Sequence, residues 1–141
     1  MPKVVVIGGG WAGAAAALSA KKAGADVVLL ERTDMLLGTG LVGGIMRNNG
    51  RFTATEEMIA MGGGELFQVT DNVARHKNIE FPGHKHASLY DVALVEPAVN
   101  KILIDAGVEI YTESRVTDVV AEGNKILAVV TEDGTKFEGD V

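Results

Sequence analysis

Cysteine is missing from this 141-residue sequence. That excludes a disulfide framework, a thiol nucleophile, a redox-active Cys-x-x-Cys pair and covalent attachment of a cofactor through sulfur. No apolar run reaches 18 residues, so no segment reads as a membrane span. The N-terminal apolar stretch is broken by glycines and leads into two lysines, so it does not read as a signal peptide either. Positive charge is in deficit, with 13 Lys and Arg against 19 Asp and Glu and a net charge of −6. Neither a basic stripe nor a basic run is present, which argues against direct nucleic-acid contact by this segment. Internal repeats and low-complexity tracts are also lacking. Hydrophobic residues make up 47%, enough for a real core. The length sets one domain as the expectation, residues 1–141 as a whole, and the cytoplasm is the expected compartment.

What is present is concentrated near the N-terminus. The apolar run Val4–Ile7 ends directly in Gly8-x-Gly10-x-x-Gly13. A helix of small residues should follow over 11–23, with Ala14, Ala15, Ala16, Ala17 and Ala20 keeping it narrow and Gly24 ending it. A second apolar run, Val27–Leu30, in a strand expected over 26–31, closes on Glu31, 23 positions after Gly8. A glycine triplet alone means little in a chain with 18 glycines. Placed between strand and helix, and followed by a strand ending in an acid, it is a dinucleotide-binding fingerprint.

Each glycine has its own task. Gly8 permits the tight turn, Gly10 lets a pyrophosphate approach the backbone, and Gly13 lets the helix lie close on the sheet. The dipole of the helix starting near Trp11 favours the phosphates at that end. A carboxylate at Glu31 accepts ribose hydroxyls and repels a 2′-phosphate. These residues point to FAD or NAD and away from NADP.

Further along, residues 33–50 read as a glycine-rich irregular stretch. Thr53-x-x-Glu56 resembles a capping box, with a helix from about Thr55 to Met61. Gly62-Gly63-Gly64 breaks it, and Glu65–Ala74 is a further helical stretch. Residues 75–90 show no period and read as a surface loop. A helix is expected over Leu94–Ala106, with Pro97 in its first turn and Val99, Ile102, Leu103 and Ala106 on its apolar face. Val108–Tyr111 is a short strand. Val116–Ala121, Ile126–Val130 and Lys136–Val141 then form an antiparallel meander, joined at Glu122-Gly123-Asn124 and Asp133-Gly134.

The sequence resembles the N-terminal part of the glutathione-reductase-type FAD-dependent oxidoreductases. Gly8, Gly10 and Gly13 are followed by Ala17, Gly24, Val27 and Glu31 at that family's spacing, and the meander falls where the family has one. A closer resemblance, to tRNA-uridine-modifying flavoproteins, is carried by Met58-Ile59-Ala60-Met61-Gly62-Gly63-Gly64-Glu65 and Gly107-Val108-Glu109-Ile110. The resemblance implies an α/β Rossmann-like FAD/NAD(P)-binding three-layer fold with a parallel sheet and an inserted three-stranded antiparallel meander. It implies that Gly8, Gly10, Gly13 and the amides of Trp11 and Ala12 hold a pyrophosphate. Glu31 would hold the adenosine ribose with Arg32 beside it. Gly38, Thr39 and Gly40 would lie near the pyrophosphate and ribityl chain, although Thr39 departs from the usual Gly-Gly pair. The Val116 backbone would meet adenine.

In that family a buried strand and a substrate domain follow the meander, whereas this sequence stops at Phe137-Glu138-Gly139-Asp140-Val141. The expectation is therefore a fragment, a truncated chain or half of a split flavoprotein, with the rest of the flavoprotein or a partner chain as partner. Its exposed sheet edge should favour self-association.

Candidate reactive side chains each have a plainer explanation. His76, His84 and His86 read as a solvated loop rather than a metal site, since no third ligand accompanies them. Tyr90 and Asp91 could form a proton-transfer pair, but Asp91 suits a helix entry better. Arg47 and Arg51 read as exposed loop arginines. Trp11 either covers the pyrophosphate turn or packs on the sheet. No residue is assigned as catalytic and no metal is expected.

Overall fold

The computed structural model describes residues 1–48, 60 and 64–141. The capping box at Thr53, Arg51, and nearly all of the helix expected over Thr55–Met61 lie outside the described residues. The chain divides into two compact units, residues 1–38 with 100–141, and residues 39–99.

The first unit is built on three parallel strands, β1 (Lys3–Ile7), β2 (Asp26–Leu30) and β6 (Glu109–Tyr111), in the order β1-β2-β6. Helix α1 (Trp11–Lys22) crosses between the first two. β1 and β2 are runs of valine, isoleucine and leucine because a parallel strand covered on both faces has no polar side. β2 is the central strand, and Val27, Val28, Leu29 and Leu30 are all buried. Burying one such side chain stabilises the fold by about 1.5–3 kcal/mol.

Alternation decides what each face meets. Val28 and Leu30, with Val5 paired beside them, pack against Val129, Val116 and Phe137. Those three belong to the antiparallel meander of β7 (Val116–Glu122), β8 (Lys125–Thr131) and β9 (Lys136–Glu138). The opposite face of the sheet lies under α1, whose Ala14 and Ala17 are fully buried. Their methyl groups allow the helix axis to come close. Gly24, at φ 89°, ends the helix, and its N–H donates to the Lys21 carbonyl at 3.0 Å.

The meander turns are made by the two predicted signals. Gly123 stands at φ 59° and Gly134 at φ 86°. The Asp133 carboxylate braces the second turn, accepting the Thr131 hydroxyl at 2.6 Å and the Thr135 amide at 3.0 Å. The last strand is shorter than expected and ends at Glu138. Residues 139–141 leave the meander and run beside β1. The Asp140 amide donates to the Lys3 carbonyl at 2.7 Å, and the Val5 amide donates to the Val141 carbonyl at 2.9 Å.

In the second unit, β3 (Arg47–Asn48), β4 (Ala74–Phe81) and β5 (His84–Tyr90) form a three-stranded sheet in the order β3-β5-β4, and α2 (Gly64–Asn72) lies between β3 and β4 in the chain. The loop expected over 75–90 is instead the β4–β5 hairpin. Its turn is Pro82-Gly83, with Gly83 at φ 83° as a proline–glycine turn requires. Three register shifts interrupt the pairing, which is why no period of two shows in the sequence. His76 is exposed on this hairpin; His84 and His86 lie on β5 with side chains outside the described set.

Helix α3 (Val92–Asp105) starts in this unit and ends in the first. Val95, Val99 and Leu103 are fully buried at i, i+4, i+8 spacing. The helix begins two residues earlier than expected, so Pro97 sits inside it, on an exposed position, rather than in its first turn. The earlier start is set by Asp91, whose carboxylate accepts the Ala93 amide at 2.9 Å and pairs with Arg75 at 2.8 Å.

Candidate dinucleotide site

The glycine turn continues the sheet before it leaves it. The Gly8 amide donates to the Leu30 carbonyl at 2.8 Å, and Gly8 then adopts φ 97°. A side chain is strongly disfavoured in that conformation. A Cβ on Gly13 would run into the Gly8 carbonyl oxygen and lie 3.5 Å from a Val6 methyl. Gly13 is therefore the point of closest approach between helix and turn. A Cβ on Gly10, by contrast, would meet nothing within 4 Å. Gly10 is the N-cap of α1 and supplies no side-chain cap. The first turn of the helix thus presents its backbone N–H groups and positive dipole end beside an open glycine.

Glu31 closes the other side. It is buried, at 5% exposure. Its Oε2 accepts the Gly9 amide at 2.7 Å. Its Oε1 accepts the Thr33 amide at 2.8 Å and the Thr33 hydroxyl at 3.0 Å. Burial pushes its pKa up, but the hydrogen bonds from Thr33, Gly9 and the Arg32 amide outweigh this, leaving the carboxyl below its ordinary value. The carboxylate is charged at neutral pH.

Two features of the turn escaped the sequence reading. Gly9, the unassigned middle residue of the motif, has no room for a side chain. A Cβ there would come within 2.6 Å of a Leu36 methyl and 3.3 Å of Glu31 Oε2. Its donation to Glu31 was equally invisible. The second feature is the segment 36–38, read only as irregular. The Leu37 amide donates to the Gly9 carbonyl at 2.8 Å, and Leu36 and Leu37 are fully buried. Leu37 holds φ 74°, a conformation that costs a branched residue energy and persists only when its surroundings enforce it.

Other expected positions divide. Gly38 lies beside the turn, since a Cβ on it would stand 3.6 Å from the Gly10 Cα. Thr39 and Gly40 belong to the second unit, where the Gly40 carbonyl accepts the buried Tyr90 hydroxyl. Tyr90 and Asp91 are thereby committed to separate structural bonds rather than to each other. Trp11 is half-buried and Ala12 exposed in the first turn of α1. Arg32 is exposed and lines a polar cleft of about 470 Å³ with Thr33, Asp34, Glu113, Arg115 and Glu132. Val116, the first residue of β7, is packed against β2. Arg47 is exposed, but it stands in β3, paired with Leu89, rather than in a loop. Among the described residues no group of three His, Asp or Glu gathers as a metal site.

The profile of the FAD dependent oxidoreductase family matches residues 3–141. The chain belongs to this family. Zeaxanthin epoxidase from the chloroplast of Oryza sativa subsp. japonica is 29% identical to it, over 99% of this chain and 24% of the epoxidase. Aquifex aeolicus GidA superposes with a TM-score of 0.75 at 22% identity, over 99% of this chain and 24% of GidA. The Diels-Alderase PyrE3 of pyrroindomycin biosynthesis superposes with a TM-score of 0.69 at 24% identity, over 99% of this chain and 31% of PyrE3. The chain therefore spans about a quarter to a third of the length of these proteins. At such identities the two superpositions establish the fold. The family's cofactor is FAD, and the turn fits it. The open face of Gly10 and the uncapped helix suit a pyrophosphate, and the charged Glu31 suits a ribose diol.

Proposed function

We propose that this chain is the FAD-binding segment of a flavin-dependent oxidoreductase, in a glutathione-reductase-type arrangement. The observation that carries the reading is the buried, ionised Glu31 beside a glycine turn whose Gly10 faces open space. The amides around Gly10, Trp11, Ala12 and Gly13 hold the pyrophosphate, with Gly8 shaping the turn and Gly38 closing over it. Glu31 accepts from the adenosine ribose, Arg32 flanks it, and the Val116 backbone borders the adenine. Bound FAD would supply hydride transfer. NAD is the competing ligand. A tRNA-modifying flavoprotein remains the second reading, carried by the motif over Met58–Glu65.

The same proposal covers partners. β1 is an edge strand whose Lys3 carbonyl and Val5 amide are already taken by residues 140 and 141, while Ile7 beyond them is 56% exposed. Beside it lies a cleft of about 440 Å³ whose lining includes Val5, Ile126, Val129 and Phe137. An apolar edge of this kind recruits a strand from the rest of the flavoprotein, a partner chain or a second copy. No helix among the described residues is long and apolar enough to cross a membrane.

Calorimetric titration of the purified chain with FAD, NAD and NADP tests the reading. FAD should bind most tightly and NADP least. A folded chain that prefers NAD to FAD, or binds neither, overturns it.

A further inference from the structure

We propose that Thr33 is a positioning residue for the dinucleotide site, holding Glu31 so that Oε2, and not Oε1, is offered to the ligand. The inference rests on the proposed FAD reading and goes beyond it.

A carboxylate oxygen has about two in-plane acceptor directions. Oε1 accepts the Thr33 amide at 2.8 Å and shares the Thr33 hydroxyl proton, at 3.0 Å, with the Met35 carbonyl. Oε2 accepts the Gly9 amide at 2.7 Å, the Arg32 amide being a lesser donor to the carboxylate. Its second direction remains for a ribose hydroxyl, which can donate, whereas a phosphate at neutral pH offers chiefly acceptors.

Thr33 is itself anchored. Its carbonyl accepts the Glu113 amide at 2.9 Å, and the Glu31 carbonyl accepts the Ser114 amide at 2.8 Å. The clamp thus joins three chain segments: the glycine turn, residues 31–33 and residues 113–114. The Thr33 hydroxyl also lies 2.8 Å from the Met35 carbonyl. One hydroxyl proton serves both acceptors, so the hydroxyl ties Glu31 to the segment that leads into Leu36 and Leu37. Threonine is suited to this because its β-branch leaves few rotamers.

Thr33→Val keeps the shape and the amide bond and removes the hydroxyl proton. Oε1 then has an unused acceptor direction, and Glu31 is free to rotate away from Oε2-only presentation. FAD binding to the 141-residue chain should weaken several-fold at pH 7. The acid limb of binding, where Glu31 takes up a proton, should move to higher pH by about half to one unit, because one hydrogen bond favouring the charged form is gone. Thr33→Ser should restore both values. In a Glu31→Gln background, Thr33→Val should leave the pH profile unchanged.

Thermal melts of each variant with FAD titrations over pH 4–8 read all of this. Weaker binding with an unmoved acid limb means that Thr33 only supports the fold, and refutes the proposal. An unfolded Thr33→Val shifts the decision to Thr33→Ser, whose failure to bind like wild type also refutes it. Failure of the wild-type chain to bind FAD refutes the FAD reading instead, so the two are separable.

Discussion

Gly10 and Gly13 belong to one motif, but the structure gives them opposite consequences when each is changed to alanine. Gly10 has φ −65°, which alanine adopts freely, and its added methyl meets no atom within 4 Å. Alanine is a poorer N-cap than glycine, yet it restricts the unfolded chain; the two effects oppose each other and leave a net change within about 1 kcal/mol. The methyl does occupy the approach to the backbone amides. Losing one amide–phosphate hydrogen bond, at about 1.5–3 kcal/mol for a charged acceptor, weakens FAD binding by about 10- to 150-fold. Gly13→Ala drives a methyl into the Gly8 carbonyl, and backbone cannot rotate aside as a side-chain tip can. The helix must shift on the sheet, at a cost of about 1–3 kcal/mol. That lowers the melting temperature by roughly 3–10 °C in a chain of this size. Circular-dichroism melts and FAD titrations on the two variants give a two-by-two comparison. If Gly10→Ala melts as early as Gly13→Ala, or binds FAD as well as wild type, the assignment of separate roles is wrong.

The pKa of Glu31 is depressed in the folded chain, so its contribution to stability is present above the unfolded value near 4.5 and is lost as pH falls through the lower folded value. Glu31→Gln should therefore flatten the acid limb of stability measured by urea unfolding between pH 3 and 7, and an unchanged limb would remove Glu31 as its source. Gly83→Ala forces alanine to φ 83° in the Pro82-Gly83 turn and should cost about 1–2 kcal/mol. Amide exchange in β4 and β5 should accelerate as a result, and unchanged protection there would show that the turn does not hold the hairpin.

The parallel sheet and the meander were legible for a physical reason. Strands buried on both faces must be apolar throughout, and β2 is buried from Val27 to Leu30. The meander turns need positive φ, which Gly123 and Gly134 announce in the sequence. The β4–β5 hairpin was illegible because its pairing carries bulges and its exposed charged residues erase the alternation. The clue that survived was Pro82-Gly83, which was passed over because the segment around it had no period. Pro97 misled in the other direction. A proline suits a first turn, while the start of this helix is fixed by the Asp91 side chain, six residues earlier.

The site shows a sharper division between motif and surroundings. The glycines and the acid are recognisable because each satisfies a requirement that few residues meet: positive φ, absence of Cβ, or a carboxylate at a strand end. What gives the carboxylate its orientation is not of that kind. Thr33 and the amide of Gly9 are ordinary groups whose importance comes from where the chain carries them, 2.7–3.0 Å from Glu31. Gly9 illustrates the point most clearly. It occupies the variable position of the motif, has no positive φ, and is excluded from other identities only by Leu36 and Glu31 packing against it. On the proposed reading, the motif specifies where a phosphate approaches, and the packing around it specifies how the acid meets the ribose. A sequence pattern reports the first because it is local; the second is long-range, from residue 9 to residue 36 and from residue 31 to residue 114, and emerges only when the sheet, the helix and the loop after β2 are assembled together.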